Sequence, residues 1–302
     1  MSSLGGNSGF SEYVIDVPAK INLWLQIVDR RADGYHNLWT LMVPVSVFDR
    51  MIIRFVGGGS IALHCNHPDV PEDSRNLVWK AVSVYKDRTG WPDGGVTVNI
   101  EKNIPVGAGL GGGSSNAGGI LRLFNLINPS PLSEAELVNV AKRVGADVPF
   151  FLRCRPALAE GIGDRLTYVK GVPQYFVVLV KPPFAISTKA AYRSLELTKK
   201  GNFISLNEIL DLNVDLSSIL KNDLEGYALS RYPMLVEIKR WLVEQGALAS
   251  LVTGSGPTVF GIFEGRGRAE RVFEAARSKW DRGFWLRLAE VLSNPGWPFS
   301  EV

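Results

Sequence analysis

Between Pro105 and Ala117 the chain reads Pro-Val-Gly-Ala-Gly-Leu-Gly-Gly-Gly-Ser-Ser-Asn-Ala, five glycines in thirteen residues with no lysine among them. A stretch so poor in side chains presents its own backbone. The amides that follow Pro105, at Gly107, Gly109, Leu110, Gly111, Gly112, Gly113, Ser114 and Ser115, can converge on one anion, phosphate above all when a helix N-terminus lies behind them. A flexible linker is the plain alternative. It fits poorly, because the loop runs from a strand into a helix and ends in Ser-Ser-Asn, residues suited to capping that helix. The loop lacks the Gly-Lys-Ser/Thr ending of a Walker nucleotide loop, and no Gly-x-Gly-x-x-Gly opens a βαβ unit at the start of the chain.

Other candidates carry titratable chemistry. In the strand-like run from Tyr13 to Val28, Ala19, Ile21, Leu23, Leu25 and Ile27 share one face, and Lys20, Asn22, Trp24 and Gln26 share the other. Lys20 and Asn22 stand side by side, roughly 7 Å apart along the strand, as either a solvated face or a functional pair. Asp147 lies in Gly145-Ala146-Asp147-Val148-Pro149-Phe150-Phe151, where burying a carboxylate is costly unless a cation or a donor meets it. It either caps the following turn or partners a lysine such as Lys20. Tyr35 and His36 follow the Asp33-Gly34 turn, placed for packing or for recognition. His64-Cys65-Asn66-His67 has no second ligand cluster to complete a tetrahedral metal site and reads as surface.

The elements that must hold these residues follow from periodicity. Val96, Val98 and Ile100 alternate with polar residues as a half-buried strand before the glycine loop, while Ala117, Ile120, Leu121 and Phe124 follow it at helical spacing. A helix is expected over Asn76 to Tyr85, and another opens on the Ser133 to Glu136 capping box and closes at Gly145. Around Pro173 the character changes. Phe176 to Val180 reads as a buried strand, Ser187-Thr188 as the cap of a helix bearing Tyr192, and Pro233 as the start of a helix with Leu235, Ile238 and Leu242 inside. Strands flank the turn Thr253-Gly254-Ser255-Gly256-Pro257, and a helix near Val272 and a strand near Phe284 complete a βαβ-like second half.

Bulk properties narrow the classes. A length of 302 residues allows about two domains, and 46% hydrophobic with 21% charged residues is an ordinary globular balance. A net charge of +3, spread along the chain, gives no support for a nucleic-acid or membrane partner. The longest apolar run is too short to span a bilayer. Two distant cysteines, Cys65 and Cys154, suit a reducing, cytoplasmic setting. Residues 1–12 lack a basic start and an apolar core, so a disordered leader is expected and not a signal peptide.

Three segments, Pro18-Ala19-Lys20-Ile21-Asn22-Leu23, the glycine loop and Thr253-Gly254-Ser255-Gly256-Pro257, resemble in that order the three signature motifs of the GHMP kinases. The family takes its name from galactokinase, homoserine kinase, mevalonate kinase and phosphomevalonate kinase. The resemblance spans Val17 to Phe263 and implies a two-domain α+β fold with the active site in the interdomain cleft. Residues 13–172 would form the N-terminal ATP-binding domain and residues 173–302 the C-terminal domain. Arg31-Ala32-Asp33-Gly34-Tyr35-His36-Asn37-Leu38 and the Gly145 to Phe151 segment narrow the likeness to members that use ATP and Mg²⁺ to phosphorylate the 2-hydroxyl of a cytidine-diphosphate polyol. That reaction belongs to the non-mevalonate route to isoprenoids.

The resemblance assigns roles residue by residue. Lys20 and Asp147 match the catalytic pair, the carboxylate accepting the hydroxyl proton and the ammonium offsetting charge near the phosphoryl group. The loop from Pro105 to Ser115 would cradle the nucleotide phosphates, with Ser115 a candidate for Mg²⁺. Tyr35 and Tyr192 would stack on the two faces of cytosine and His36 would meet its edge. Asn22 and Thr188 would contact the polyol or its diphosphate, and Gly254 and Ser255 would shape the cleft near the phosphates. Another small-molecule member, of homoserine or mevalonate type, and a non-catalytic binding protein on this scaffold are the alternatives.

Overall fold

The computed structural model describes residues 12–195, 220–280, 282–293 and 299–301. Of the expected leader, only Glu12 falls within them. The chain opens with two long strands, β1 (Glu12–Arg30) and β2 (His36–Val56), then β3 (Ile61–Cys65), α1 (Leu77–Thr89) and β4 (Gly95–Glu101). After the glycine loop come α2 (Gly112–Ile127), α3 (Glu134–Val144), the single turn α4 (Val148–Phe151), β5 (Ala157–Gly161) and β6 (Arg165–Tyr168). The rest is β7 (Phe176–Lys181), α5 (Thr188–Arg193), β8 (Lys221–Asn222), α6 (Glu225–Arg231), α7 (Pro233–Glu244), β9 (Ala249–Val252), β10 (Val259–Phe263), α8 (Arg266–Lys279), β11 (Trp285–Glu290) and β12 (Phe299–Glu301).

Most boundaries have local causes. Asn76 caps α1 by accepting from the Val78 amide, and Gly90 ends it in the left-handed region. Ser133 and Glu136 form the capping box at the start of α3. Ser187 caps α5 through the Ala190 amide, and Pro233 occupies the first turn of α7.

Two sheets organise these elements. The first has eight strands, with β12-β1-β2-β4-β3 in order, β5 added to β2, β6 to β5 and β8 to β1. Its helix-bearing face buries Ile15, Val17, Met51 and Val98 against Val78, Ile120, Phe124 and Leu137. The second, in the order β11-β7-β10-β9, packs Val178, Val180 and Val259 against Leu235, Ile238 and Val272 of its helices. Its opposite face, with Val177, Leu179, Phe260 and Ile262, meets Ala19, Ile21, Val43 and Val45 of the first sheet. Burial on both faces explains why Val177 to Val180 is apolar without alternation. Since β8 and β12 return to β1, the two sheets do not divide the chain at a single point.

Every ladder in the second sheet is antiparallel, so the expected βαβ-like arrangement takes its split form. β10 and β11, joined by α8, both run opposite to β7 and therefore in the same direction, but β7 lies between them. Such a split βαβ unit leaves the same local pattern of strand, helix and strand as an adjacent one, so sequence does not separate the two.

A register irregularity in the β1–β2 pair decides where Lys20 stands. Partners step from Pro18↔Phe48 to Ala19↔Val45, and again from Asn22↔Met42 to Trp24↔Leu41. Before the first step Ile15 and Val17 pack on the helices; after it Ala19 and Ile21 pack on the second sheet. The odd-numbered residues thus change sides, and Lys20 comes to stand with Phe151 beside Gly111. The second step carries Trp24 into the same cluster as Leu23, so the even-numbered face expected from Lys20 to Gln26 is broken at Trp24.

The glycine loop is clasped between β1 and the 253–257 turn. The Lys20 amide donates to the Leu110 carbonyl at 3.0 Å, and the Thr253 hydroxyl donates to the Gly109 carbonyl at 3.3 Å. Gly109 has φ +78°, and a Cβ on it would overlap the Thr253 carbonyl oxygen. Gly109→Ala should therefore lower stability by about 2 kcal/mol or more, combining backbone strain with a clash against main chain. Chemical denaturation of the variant measures it, and a midpoint equal to that of the parent chain would contradict this account of the clasp.

Candidate functional site

Lys20, Asn22, Tyr35, His36, Asp147, Thr188, Tyr192, Gly254 and Ser255 line one cleft of about 780 Å³, together with Gly107, Gly109 and Gly111 of the glycine loop. Pro105, Leu110 and Gly112 to Ser115 do not line it. Leu110 is buried in the core between the sheets, and its carbonyl is taken by the Lys20 amide.

At the centre is an ammonium group taken out of water. Lys20 is 5% exposed, and its Nζ donates to Asn22 Oδ1 at 2.7 Å and lies 3.9 Å from Asp147 Oδ2. Burial pushes its pKa below the ordinary 10.5, and the Asp147 charge opposes that fall. The solvated strand face considered for Lys20 and Asn22 is excluded, since Asn22 is 2% exposed. The Asn22 amide is already engaged, accepting from Lys20 and donating through Nδ2 to Thr40 Oγ1 at 2.8 Å. Its backbone N–H donates to Thr253 Oγ1 at 3.1 Å. The structure gives Asn22 the aim of Lys20 and a place in the cleft lining, where the polyol contact was expected from sequence.

Asp147 precedes α4 but makes no side-chain cap bond, which removes the capping alternative. Its carboxylate is 37% exposed, open to the cleft on one side and to Lys20 on the other. Nearby, Tyr192 is pushed up to about 12 by burial and by the Asp147 charge, so it remains a neutral phenol at physiological pH. His36 lies against it, with ring centroids 5.3 Å apart and planes 31° from parallel. Burial, and then the neighbouring Arg30 charge, lower the His36 pKa. Tyr35 is 63% exposed, so the ring resting on Tyr192 is that of His36. Thr188 and Ser255 share a hydroxyl hydrogen bond of 2.8 Å, tying α5 to the third motif.

At the other end of the cleft, α2 begins at Gly112 with Gly111 as N-cap and no side-chain cap bond. The Ser-Ser-Asn cap expected from sequence is not made. Ser115 lies inside the helix, fully buried, and its hydroxyl donates to the Pro18 carbonyl at 2.6 Å. Among the described residues, no amide from Val106 to Ser114 donates to a protein acceptor. A run of amides without a protein acceptor, at a helix N-terminus with no acidic residue in its first turn, has the electrostatic character that favours an anion.

Arg30, Lys189 and Arg193 also line the cleft and were not singled out from sequence. Lys189 and Arg193 each directly follow an expected site residue, Thr188 and Tyr192, on the same short helix; that spacing was the available signal. No helix of the described residues is long and apolar enough to cross a membrane.

The comparisons agree with this geometry. The GHMP kinases N terminal domain matches residues 76–155, and the GHMP kinases C terminal domain matches residues 194–282. A 4-diphosphocytidyl-2-C-methyl-D-erythritol kinase from Pelobacter propionicus is 38% identical over 280 residues, covering 92% of this chain and 98% of that protein. The enzyme of the same name from Syntrophus aciditrophicus is 43% identical over 255 residues, covering 84% and 90%. A crystal structure of 4-(cytidine 5'-diphospho)-2C-methyl-D-erythritol kinase superposes with a TM-score of 0.77 at 36% identity, covering 92% of this chain and 99% of that one. With motifs, cleft and fold in agreement along nearly the whole length, the chain belongs to the GHMP kinase family.

Proposed function

We propose that this kinase transfers the γ-phosphoryl group of ATP to the 2-hydroxyl of 4-diphosphocytidyl-2-C-methyl-D-erythritol. The observation that carries the reading is the placement of the Lys20–Asp147 pair, 3.9 Å apart, in the same cleft as Gly107, Gly109 and Gly111 of the glycine loop. Phosphoryl transfer asks little covalent chemistry of a protein and depends on positioning and charge. The loop amides and the N-terminus of α2 bind the nucleotide phosphates and stabilise charge that moves onto them. Asp147, exposed on its cleft side, takes the proton of the attacking hydroxyl. Lys20, aimed by Asn22, balances that carboxylate and the incoming phosphoryl oxygens. Tyr35, His36 and Tyr192 form the cytosine end, where flat rings and one edge donor select the base.

Mg²⁺ accompanies ATP in this reading, yet the residues present do not build a cage for it. Among the described residues no group of three or more His, Cys, Asp or Glu side chains could hold a metal ion. The Ser115 hydroxyl, the sequence candidate, donates to the Pro18 carbonyl and lies fully buried, outside the lining of the cleft. An ion held by nucleotide phosphates and water needs no such cage.

Turnover with ATP and the cytidylyl acceptor, compared with homoserine and mevalonate as acceptors, tests the assignment; preference for either of the latter would overturn it. Asp147→Asn should lower kcat by about 10²- to 10⁴-fold while the Kd for ATP changes little, and a variant retaining full turnover would remove Asp147 as the base. Tyr35→Ala should raise KM for the acceptor by about tenfold with KM for ATP unchanged; equal rises in both would argue against a role at the base. Because the protonated form of Lys20 is the active one and its pKa is lowered, kcat should fall on an alkaline limb that lies below pH 10.5. A profile flat to that pH would show that the Lys20 charge is not needed.

A further inference from the structure

Asp49 is fully buried and lies outside the cleft, yet it holds both ends of the glycine loop. Its Oδ1 accepts from the amides of Asn103 and Ile104, each at 2.8 Å, immediately before the loop begins at Pro105. Its Oδ2 accepts from Lys102 Nζ at 2.5 Å and from Asn116 Nδ2 at 3.0 Å, the latter one turn inside α2 where the loop has ended. Lys102 Nζ also donates to the Ile104 carbonyl at 2.6 Å and lies against Gly112, the first residue of α2. One carboxylate on β2 thus gathers four donors from the two segments that flank the loop.

The loop itself has little means of fixing its own shape. Glycines lose more conformational freedom on ordering than any other residue, and side chains that could brace them are absent. The separation of the loop's ends then determines where its free amides point. We propose that Asp49 is a positioning residue for nucleotide binding, setting the span of the phosphate loop through Asn103, Ile104, Lys102 and Asn116. This rests on the reading that the loop holds the ATP phosphates. An amide in place of the carboxylate would turn an NH₂ group toward either the backbone amides or Lys102, donor against donor, so one end of the loop would be released.

Asp49→Asn should raise KM for ATP by about tenfold or more, since small misplacements of binding groups are costly, while KM for the cytidylyl acceptor stays within about twofold. Asn116→Ala removes one of the four bonds and keeps the Asp49–Lys102 pair. It should raise KM for ATP by about threefold, again without moving the acceptor constant. A buried pair with a merely structural role would lower the melting temperature and leave the ratio of the two KM values unchanged. Equal shifts in both constants, or an unchanged KM for ATP in folded Asp49→Asn, would overturn the proposal; if that variant does not fold, the two KM values of Asn116→Ala decide it. A parent chain with no ATP-dependent turnover would instead sink the kinase reading, so the two failures are distinguishable.

Discussion

The buried ammonium of Lys20 is the constraint around which the rest is arranged. A charge that has left water must be met by partners at close range, or it is lost as a proton. Asn22 and Asp147 supply those partners, and each is itself fixed from elsewhere: Asn22 by Thr40 and Thr253, Asp147 by its place at the start of α4. The Lys20 backbone is pinned to Leu110 of the glycine loop. Strand, loop, short helix and the turn of the second half therefore converge on one side chain, and the distance between the cation and the loop amides is set by main-chain hydrogen bonds.

Much of this was readable from sequence wherever the cause is local. The glycine loop, the Ser133 capping box, the cap at Ser187 and the apolar stripe of α7 each declare themselves within a few residues. The Lys20 and Asp147 assignments needed the motifs, because nothing in either segment names its partner in the other. What escaped were effects set at long range. The register step at Pro18 depends on what β2 offers opposite it, and alternation along β1 alone does not reveal it. The donors that meet Asp49 lie between 53 and 67 positions away in the chain. The missing cap on α2 follows from where the helix starts: it begins at Gly112, so Ser114, Ser115 and Asn116 lie inside it and not at its N-cap.

The second sheet plays a less visible part. Buried on one face by its helices and on the other by the first sheet, it carries the 253–257 turn onto the glycine loop without freedom to drift. Asn222 reinforces this from the first sheet, donating to the carbonyls of Val252 and Gly254 at 2.7 and 2.8 Å. The cleft is therefore a gap between two packed sheets stitched at their edges, which suits a reaction that depends on aim.

Among the described residues, the amides from Val106 to Ser114 have no protein acceptor, which has a thermodynamic consequence. An anion that supplied acceptors to them would act as part of the fold. A nucleotide held by these amides, as proposed, would be a stabilising ligand as well as a substrate, contributing about 2.7 kcal/mol when present at a hundred times its dissociation constant. Local opening should be easiest at the N-terminus of α2 in the empty protein and suppressed there first on filling. Protein turnover in a cell would in that case be coupled to nucleotide supply through these few amides.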